Sequence, residues 1–383
     1  MKKRNVKKSL DESVYNNIVP SGSQPGKLYG LCKVHKSGHP MRPVISMIGT
    51  AEYRLAKYLD NFIKPNINTE WSVNSTKNFM DKIGEFKFSE GDELVSFDVV
   101  CSLYTNVPLE ETINLISECV YSKDSKKVPP FPKKWFTKML KFATSGIFLY
   151  RDKLYRQVDG VAMGSPLGPS LANFFLGNLE KYKIFENLNI NPKLYIRYVD
   201  DIFAIFDKNI SYDKFFDHIN NQHPQIKFTV EKSINNSLAF LDTEIKLNGD
   251  EFESTVFRKQ TNTNVLLNVD AICPVSWKKG LVLGALNRAS IICSSKVNFL
   301  SEVDKLRTIF WKNGYSKSFF NKMYSCFESK TVEGLNESSS SDNNDDSYIV
   351  KIPYVGSISY NFKNKLIILG RVKSRYLTRF QQF

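Results

Sequence analysis

The sequence is poor in the residues from which stapled or zinc-organised folds are built. Its six cysteines (Cys32, Cys101, Cys119, Cys273, Cys293 and Cys326) are scattered without a Cys-x-x-Cys pair, and its four histidines offer no zinc spacing to accompany them. Reduced, mostly buried thiols are expected. No apolar run approaches membrane-spanning length, and behind the basic start Met1-Lys2-Lys3-Arg4 the charged Lys7, Lys8, Asp11 and Glu12 stand where a secretion signal needs an apolar stretch. These absences predict an intracellular, soluble chain with no membrane contact. What is abundant is apolar and aromatic matter: of 383 residues 42% are hydrophobic and 13% aromatic, with 28 Phe and 18 Tyr. That composition excludes wholesale disorder and fibrous classes, and it supplies the core of one large multi-lobed fold or of two domains.

The net charge of +14 favours a polyanionic partner such as nucleic acid. Divided along the chain, the charge is uneven. Residues 1–10 hold five basic side chains and residues 348–383 hold seven, with no acid in either stretch, so most of the excess sits at the two ends. Between them, residues 331–347 carry four consecutive serines and five acids with no base, the composition of a linker.

Residues 1–26 are basic at the front and turn-rich at Pro20, Gly22, Pro25 and Gly26, which predicts a flexible arm. A hairpin carrying Lys33, Lys36 and Arg42 is expected over 28–47. A helix follows over 51–63, with Leu55, Tyr58, Leu59 and Phe62 at helical spacing. Further expectations are a buried strand over 93–100 with Asp98 near its end, a helix capped near Asn106 and Pro108, a helix over 134–144, and a hairpin around Asp152. Next come the Gly/Pro-rich Gly164-Ser165-Pro166-Leu167-Gly168-Pro169, a helix over 171–182, and two short strands over 194–206 whose polar tip is Val199-Asp200-Asp201. A helix over 213–219, strands over 226–231, 238–247 and 251–257, and a mostly helical stretch over 275–328 complete the pattern.

The chemistry concentrates at Tyr198-Val199-Asp200-Asp201. Adjacent carboxylates between two apolar strands repel one another, and a divalent cation resolves that cost. If Asp98 closes a neighbouring strand, three carboxylates meet at one point, as a two-metal phosphoryl-transfer site requires. Taken singly, each element also reads as an ordinary polar turn or strand end.

Their order along the chain resembles the palm of a reverse transcriptase, and more closely the reverse transcriptases of Penelope-like retroelements, which are related to telomerase. The residues carrying the likeness are Leu28 to Lys36, Met41 to Ser46, Ser96 to Val100, Leu103 to Leu109, Met163 to Pro169, Tyr198 to Asp201 and Phe240-Leu241-Asp242, with further likeness around Thr261-Asn262-Thr263 and Asn287-Arg288-Ala289. The resemblance implies an α+β right-hand polymerase fold. Its fingers and palm (an antiparallel sheet with helices on one face) would occupy 27–255, and a helical thumb 256–330, followed by the acidic linker 331–347 and a basic segment 348–383. It implies an RNA-directed DNA polymerase of a retrotransposable element, working with an RNA template, a DNA primer, deoxynucleoside triphosphates and two Mg²⁺ ions, Mn²⁺ being the alternative, and acting in the nucleus.

By the same resemblance Asp98, Asp200 and Asp201, with the carbonyl of Val99, would hold the metal ions. Lys33, Lys36, Arg42, Tyr104 and Gly164 would meet the incoming nucleotide. Ser165, Pro166, Tyr198, Phe240, Leu241, Asp242 and Arg288 would meet template and primer, and Arg258, Lys259, Lys278 and Lys279 would track the heteroduplex. Two departures are visible. Five residues separate Asp98 from Tyr104 where the family has four, the extra one near Cys101, so either a bulge absorbs it or everything beyond it changes face. The GIY-YIG endonuclease common in such elements is absent from the sequence. These departures favour an alternative, a catalytically decayed, nucleic-acid-binding relative, and an RNA-dependent RNA polymerase sharing the palm is a further one.

Overall fold

The computed structural model describes residues 11–20, 22–34, 38–99, 103–186, 191–333, 348–354 and 372–377. Its elements begin with α1 (Glu12–Ile18), β1 (Gly26–Cys32), β2 (Met41–Ser46), α2 (Tyr53–Ile63), α3 (Thr76–Glu85), β3 (Glu93–Val99), α4 (Leu103–Asn106), α5 (Leu109–Val120) and α6 (Lys133–Thr144). They continue with β4 (Ile147–Tyr150), β5 (Lys153–Arg156), α7 (Gly168–Leu179) and its π-helical extension Glu180–Ile184, β6 (Leu194–Tyr198), β7 (Asp201–Phe206), α8 (Tyr212–Asn221) and β8 (Phe228–Lys232). The last are β9 (Ser237–Phe240), β10 (Thr243–Asn248), β11 (Glu251–Val256), α9 (Val275–Ile292), α10 (Lys296–Lys312), α11 (Lys317–Glu333), β12 (Tyr348–Pro353) and β13 (Val372–Leu377). The fold is α+β. Among the described residues no helix is long and apolar enough to cross a membrane.

Two compact units divide the chain, one holding residues up to Leu241 together with Lys246–Phe252, the other Asp242–Ile245 together with residues from Glu253 onward. The first is organised by a four-stranded sheet in the order β6-β7-β3-β8, antiparallel throughout. Strand β7 is apolar on both faces, Ile202 to Phe206 all being buried, as a central strand covered on two sides must be. One face receives Phe175, Leu176 and Leu179 of α7 with Phe215 and Ile219 of α8. On the other, Phe203 meets Phe79 of α3 edge-on at 5.2 Å and Phe240 at 5.5 Å. A second sheet, β2-β1-β4-β5, combines two hairpins through a parallel β1–β4 pairing, and β4 and β5 have no fully buried residue. In the other unit α9, α10 and α11 enclose a core of Val282, Leu286, Ala289, Val303, Leu306, Phe310 and Phe320.

Three local outcomes differ from expectation. Within the expected arm, Glu12–Ile18 is helical: Asp11 accepts a hydrogen bond from the Ser13 amide at 2.8 Å, and Ile18 is buried with Val14 and Tyr15 packed beside it. One short apolar face, flanked by Pro20 and Gly22, was masked by its polar setting. Helix α3 had no counterpart in the sequence reading, although its signals are present in Ser75, which caps the Asn78 amide at 3.2 Å, and in Phe79 and Ile83, buried one turn apart. Residues 103–106 make their own short helix, so α5 starts after Pro108 rather than at Asn106. Helix α11 runs to Glu333; the rest of the expected linker lies outside the described residues, as do Lys36 and Cys101.

Candidate active site

Strand pairing brings the aspartates together. The antiparallel register of β3 on β7 runs from Glu93 opposite Phe206 to Asp98 opposite Asp201. On the other edge β6 pairs with β7 so that Tyr198 faces Asp201, which leaves Val199-Asp200 as a two-residue turn. Period-two alternation buries Val95, Phe97 and Val99, while Asp98, Asp200 and Asp201 remain partly exposed at one end of the sheet. Val99 pairs with Phe228, and its side chain is 4% exposed, so the backbone alone is left as a ligand there.

Among the described residues no three His, Cys, Asp or Glu side chains converge into a ready-made metal cage. The donor chemistry nevertheless fits hard divalent ions, because Mg²⁺ is usually held by one or two carboxylates together with substrate phosphates and water. Asp98 and Asp201, directly opposed, are the natural pair.

The turn itself is strained and braced. Val199 has φ 56°, a left-handed conformation in which a β-branched residue is an outlier, while Asp200 does not share it, the φ pattern of a type II′ turn. Below it lies Arg197, 1% exposed, whose Nε and Nη2 donate to the two carboxylate oxygens of Glu180 at 2.6 and 3.0 Å. Its Nη1 donates to Asn173 Oδ1 at 2.9 Å and to the Val199 carbonyl at 3.1 Å. The Tyr195 hydroxyl donates to Glu180 at 3.1 Å. Burial acts to lower the Arg197 pKa, but the Glu180 carboxylate and its hydrogen bonds outweigh burial and leave it above the ordinary value. Burial, followed by the Glu180 charge, pushes the Tyr195 phenol well above its usual range. Sequence reasoning missed this group. The available signal was a lone Arg inside an apolar strand and a lone Glu at the end of an apolar helix, each needing a buried partner.

The Gly/Pro loop packs on β2. Gly164 has φ 114°, and a Cβ there would stand 2.4 Å from the Ile45 carbonyl oxygen, so only glycine fits. The Ile45 amide donates to the Met163 carbonyl at 2.9 Å, joining this loop to β2. Tyr104, Gly164, Ser165 and Pro166 line one cavity of about 380 Å³ together with Tyr53, Lys57, Met163 and Pro169. Tyr53 and Lys57 were not anticipated. Ser165 is 7% exposed, and its hydroxyl accepts from the Leu167 amide at 3.3 Å, so it caps the loop. Burial, then the charge of Asp200, raises the Tyr104 pKa.

The remaining expected contacts divide. Lys33 is half-buried, its amide donating to Pro40 at 2.9 Å, and Arg42 is exposed opposite Leu31 on the β1–β2 hairpin. Leu241, at φ 55°, and Asp242 connect β9 to β10. The Phe240 side chain belongs to the core, 4% exposed and 4.8 Å from Phe79. Arg288 donates from Nε to Asp242 at 2.5 Å, joining two expected primer contacts in one ion pair. Arg258 holds the buried Glu302 with both terminal nitrogens.

A family model described as an animal helix-turn-helix domain matches residues 265–323, which cover α9, α10 and the start of α11. No curated protein matches the chain. Among solved structures, telomerase from Candida albicans, in complex with a fragment of telomeric RNA, superposes with a TM-score of 0.56 at 13% identity, over 87% of this chain and 63% of that one. This chain therefore spans less than two thirds of that telomerase chain. The Sicinivirus 3Dpol RNA-dependent RNA polymerase gives 0.49 at 12% identity over 83% and 71%, and apo telomerase from Candida tropicalis 0.47 at 13% over 85% and 67%. The chain has a reverse-transcriptase-like, right-hand polymerase fold.

Proposed function

We propose that the protein is an RNA-directed DNA polymerase that extends a DNA primer on an RNA template, in the manner of a Penelope-like retrotransposable element. The observation that carries this reading is the register that sets Asp98 opposite Asp201 with Asp200 in the adjoining turn. In the reaction the primer 3′-oxygen forms a bond to the α-phosphorus of a deoxynucleoside triphosphate while the bond to pyrophosphate breaks. Asp98, Asp200 and Asp201 would hold two Mg²⁺ ions, which when bound supply Lewis-acid stabilisation of the attacking and leaving oxygens.

The chain's other residues position the reactants. Lys33 and Arg42 on the exposed hairpin suit the triphosphate, whose charge Arg can neutralise in bidentate fashion. Tyr104 suits the sugar, and the glycine at 164 lets the loop backbone approach a base pair closely. Basic side chains on the three-helix unit, among them Lys278, Lys279, Lys312 and Lys317, suit the phosphates of a duplex, and the helix-turn-helix likeness agrees with that use.

The test is primer extension on an RNA template with Mg²⁺ and deoxynucleotides, against ribonucleotides and against Asp200→Ala. Template-dependent DNA synthesis abolished in Asp200→Ala is the expected result; equal synthesis by the variant sinks the site assignment, and preference for ribonucleotides favours an RNA polymerase. A second reading, a nucleic-acid-binding relative without turnover, is favoured by the extra residue between Asp98 and Tyr104. It predicts tight binding of primer–template without extension, with deletion of Cys101 restoring synthesis.

A further inference from the structure

We propose that Arg197 is a positioning residue that sets the conformation of the Val199-Asp200 turn and thereby aims the carboxylates on either side of it. A buried ion pair is weak evidence for stability, since desolvation offsets most of its attraction. What distinguishes this one is where its spare donor goes. With Nε and Nη2 committed to Glu180, the guanidinium plane is fixed, and Nη1 is left directed at Asn173 and at the Val199 carbonyl, 3.1 Å away. A carbonyl within a two-residue turn has no ladder partner of its own, so this bond holds the peptide between Val199 and Asp200.

That peptide is the one whose rotation matters. Val199 sits at φ 56°, from which a β-branched residue tends to relax, and relaxation would swing Asp200 and then Asp201 away from the end of β3. Arg197 cannot follow such a movement. Its amide donates to the Trp71 carbonyl at 2.7 Å and its carbonyl accepts from the Val73 amide at 2.9 Å, while Glu180 is held in turn by the Tyr195 hydroxyl. Both side-chain anchors, Asn173 and Glu180, come from α7 and its π-helical extension, the helix that begins at the Gly/Pro loop. One helix thus connects the loop lining the cavity to the underside of the hairpin.

Lysine cannot reproduce this arrangement, because a single ammonium lacks the planar fork that grips a carboxylate with two donors and a turn carbonyl with a third. The activity arm of the test rests on the polymerase reading; the exchange arm does not. Arg197→Lys is expected to remain folded by circular dichroism, with hydrogen exchange in Tyr198–Ile202 accelerated roughly tenfold or more relative to peptides from β3 and α5. Its kcat for primer extension should fall about 10- to 100-fold with little change in nucleotide KM, the signature of misplaced groups rather than lost binding. Asn173→Ala, which keeps the Glu180 pair, should move both readouts in the same direction by less, and it decides the matter if Arg197→Lys does not fold. Wild-type exchange at the hairpin in the folded variants, or acceleration no greater than elsewhere, overturns the proposal. A wild-type protein without extension overturns the polymerase reading alone, and the exchange comparison still decides the role of Arg197.

Discussion

Two turns in this molecule share a local design and differ in what holds them. Val199-Asp200 joins β6 to β7 and Leu241-Asp242 joins β9 to β10; each places an aliphatic residue in the left-handed region, at φ 56° and 55°, and follows it with an aspartate. The first is braced from beneath by Arg197 and Glu180, 1% and 2% exposed. The second is braced at the surface, by an Arg288–Asp242 pair whose side chains are 49% and 30% exposed. The same strained backbone can therefore be maintained by interior or surface chemistry. The interior version demands complete satisfaction of every donor, which makes it rigid; the surface version is screened and tolerant.

The largest effect that separates the turns is on activity. On the proposed polymerase reading, Asp200→Ala or Asp201→Ala should lower primer extension by about 1,000-fold or more. Asp242→Ala should cost far less. Comparable losses at the two turns in steady-state assays would erase the distinction between a reacting and a supporting aspartate.

Next is stability. Glu180→Leu strands the Arg197 charge in the interior and should destabilise the protein by about 3–5 kcal/mol in denaturant unfolding. Arg288→Ala breaks an exposed pair and should cost about 0–1 kcal/mol. Equal shifts in the unfolding midpoint would mean that burial does not govern the contrast.

Smaller again is the effect of the backbone strain. Glycine at Val199 or Leu241 removes roughly 1–3 kcal/mol of positive-φ strain against roughly 1 kcal/mol of added chain entropy. Thermal midpoints should hold or rise by a few degrees for both, and a marked fall at either would show that its side-chain packing dominates.

The last contrast emerges only in alkali. Burial and the Glu180 charge raise the Tyr195 pKa, and burial pushes Tyr121 up to about 12 from 10.0. For groups whose pKa is raised in the fold, the stabilisation is fully present below the unfolded value and is lost as pH rises through the folded one. Stability should therefore fall as pH climbs above 10, and Tyr195→Phe should flatten part of that fall. An unchanged alkaline limb in the variant would remove Tyr195 from the account.

Much of this molecule is legible in its residues. Asp98 at the end of one apolar strand and Asp200-Asp201 between two others could be read from alternation and turn polarity; the register sets Asp98 opposite Asp201, but among the described residues the three carboxylates do not converge into a metal-holding group. The helix over Tyr53–Ile63 and the hairpin around Asp152 follow from the same periodicities. Helix α3 has no counterpart in the sequence reading although its cap, Ser75, and its two core residues, Phe79 and Ile83, are present. Phe240, expected at the primer, has its side chain in the core, since side-chain type does not tell a surface from an interior.

The periodic elements follow from the amino-acid order alone, because they depend on local backbone geometry and on side-chain alternation. Packing of the helices on the sheet is what brings Arg197 to Glu180 and Asn173 across 17 and 24 residues. Partnership between buried polar groups depends on which helix packs against which strand, and chain order contains that information only after the core has formed.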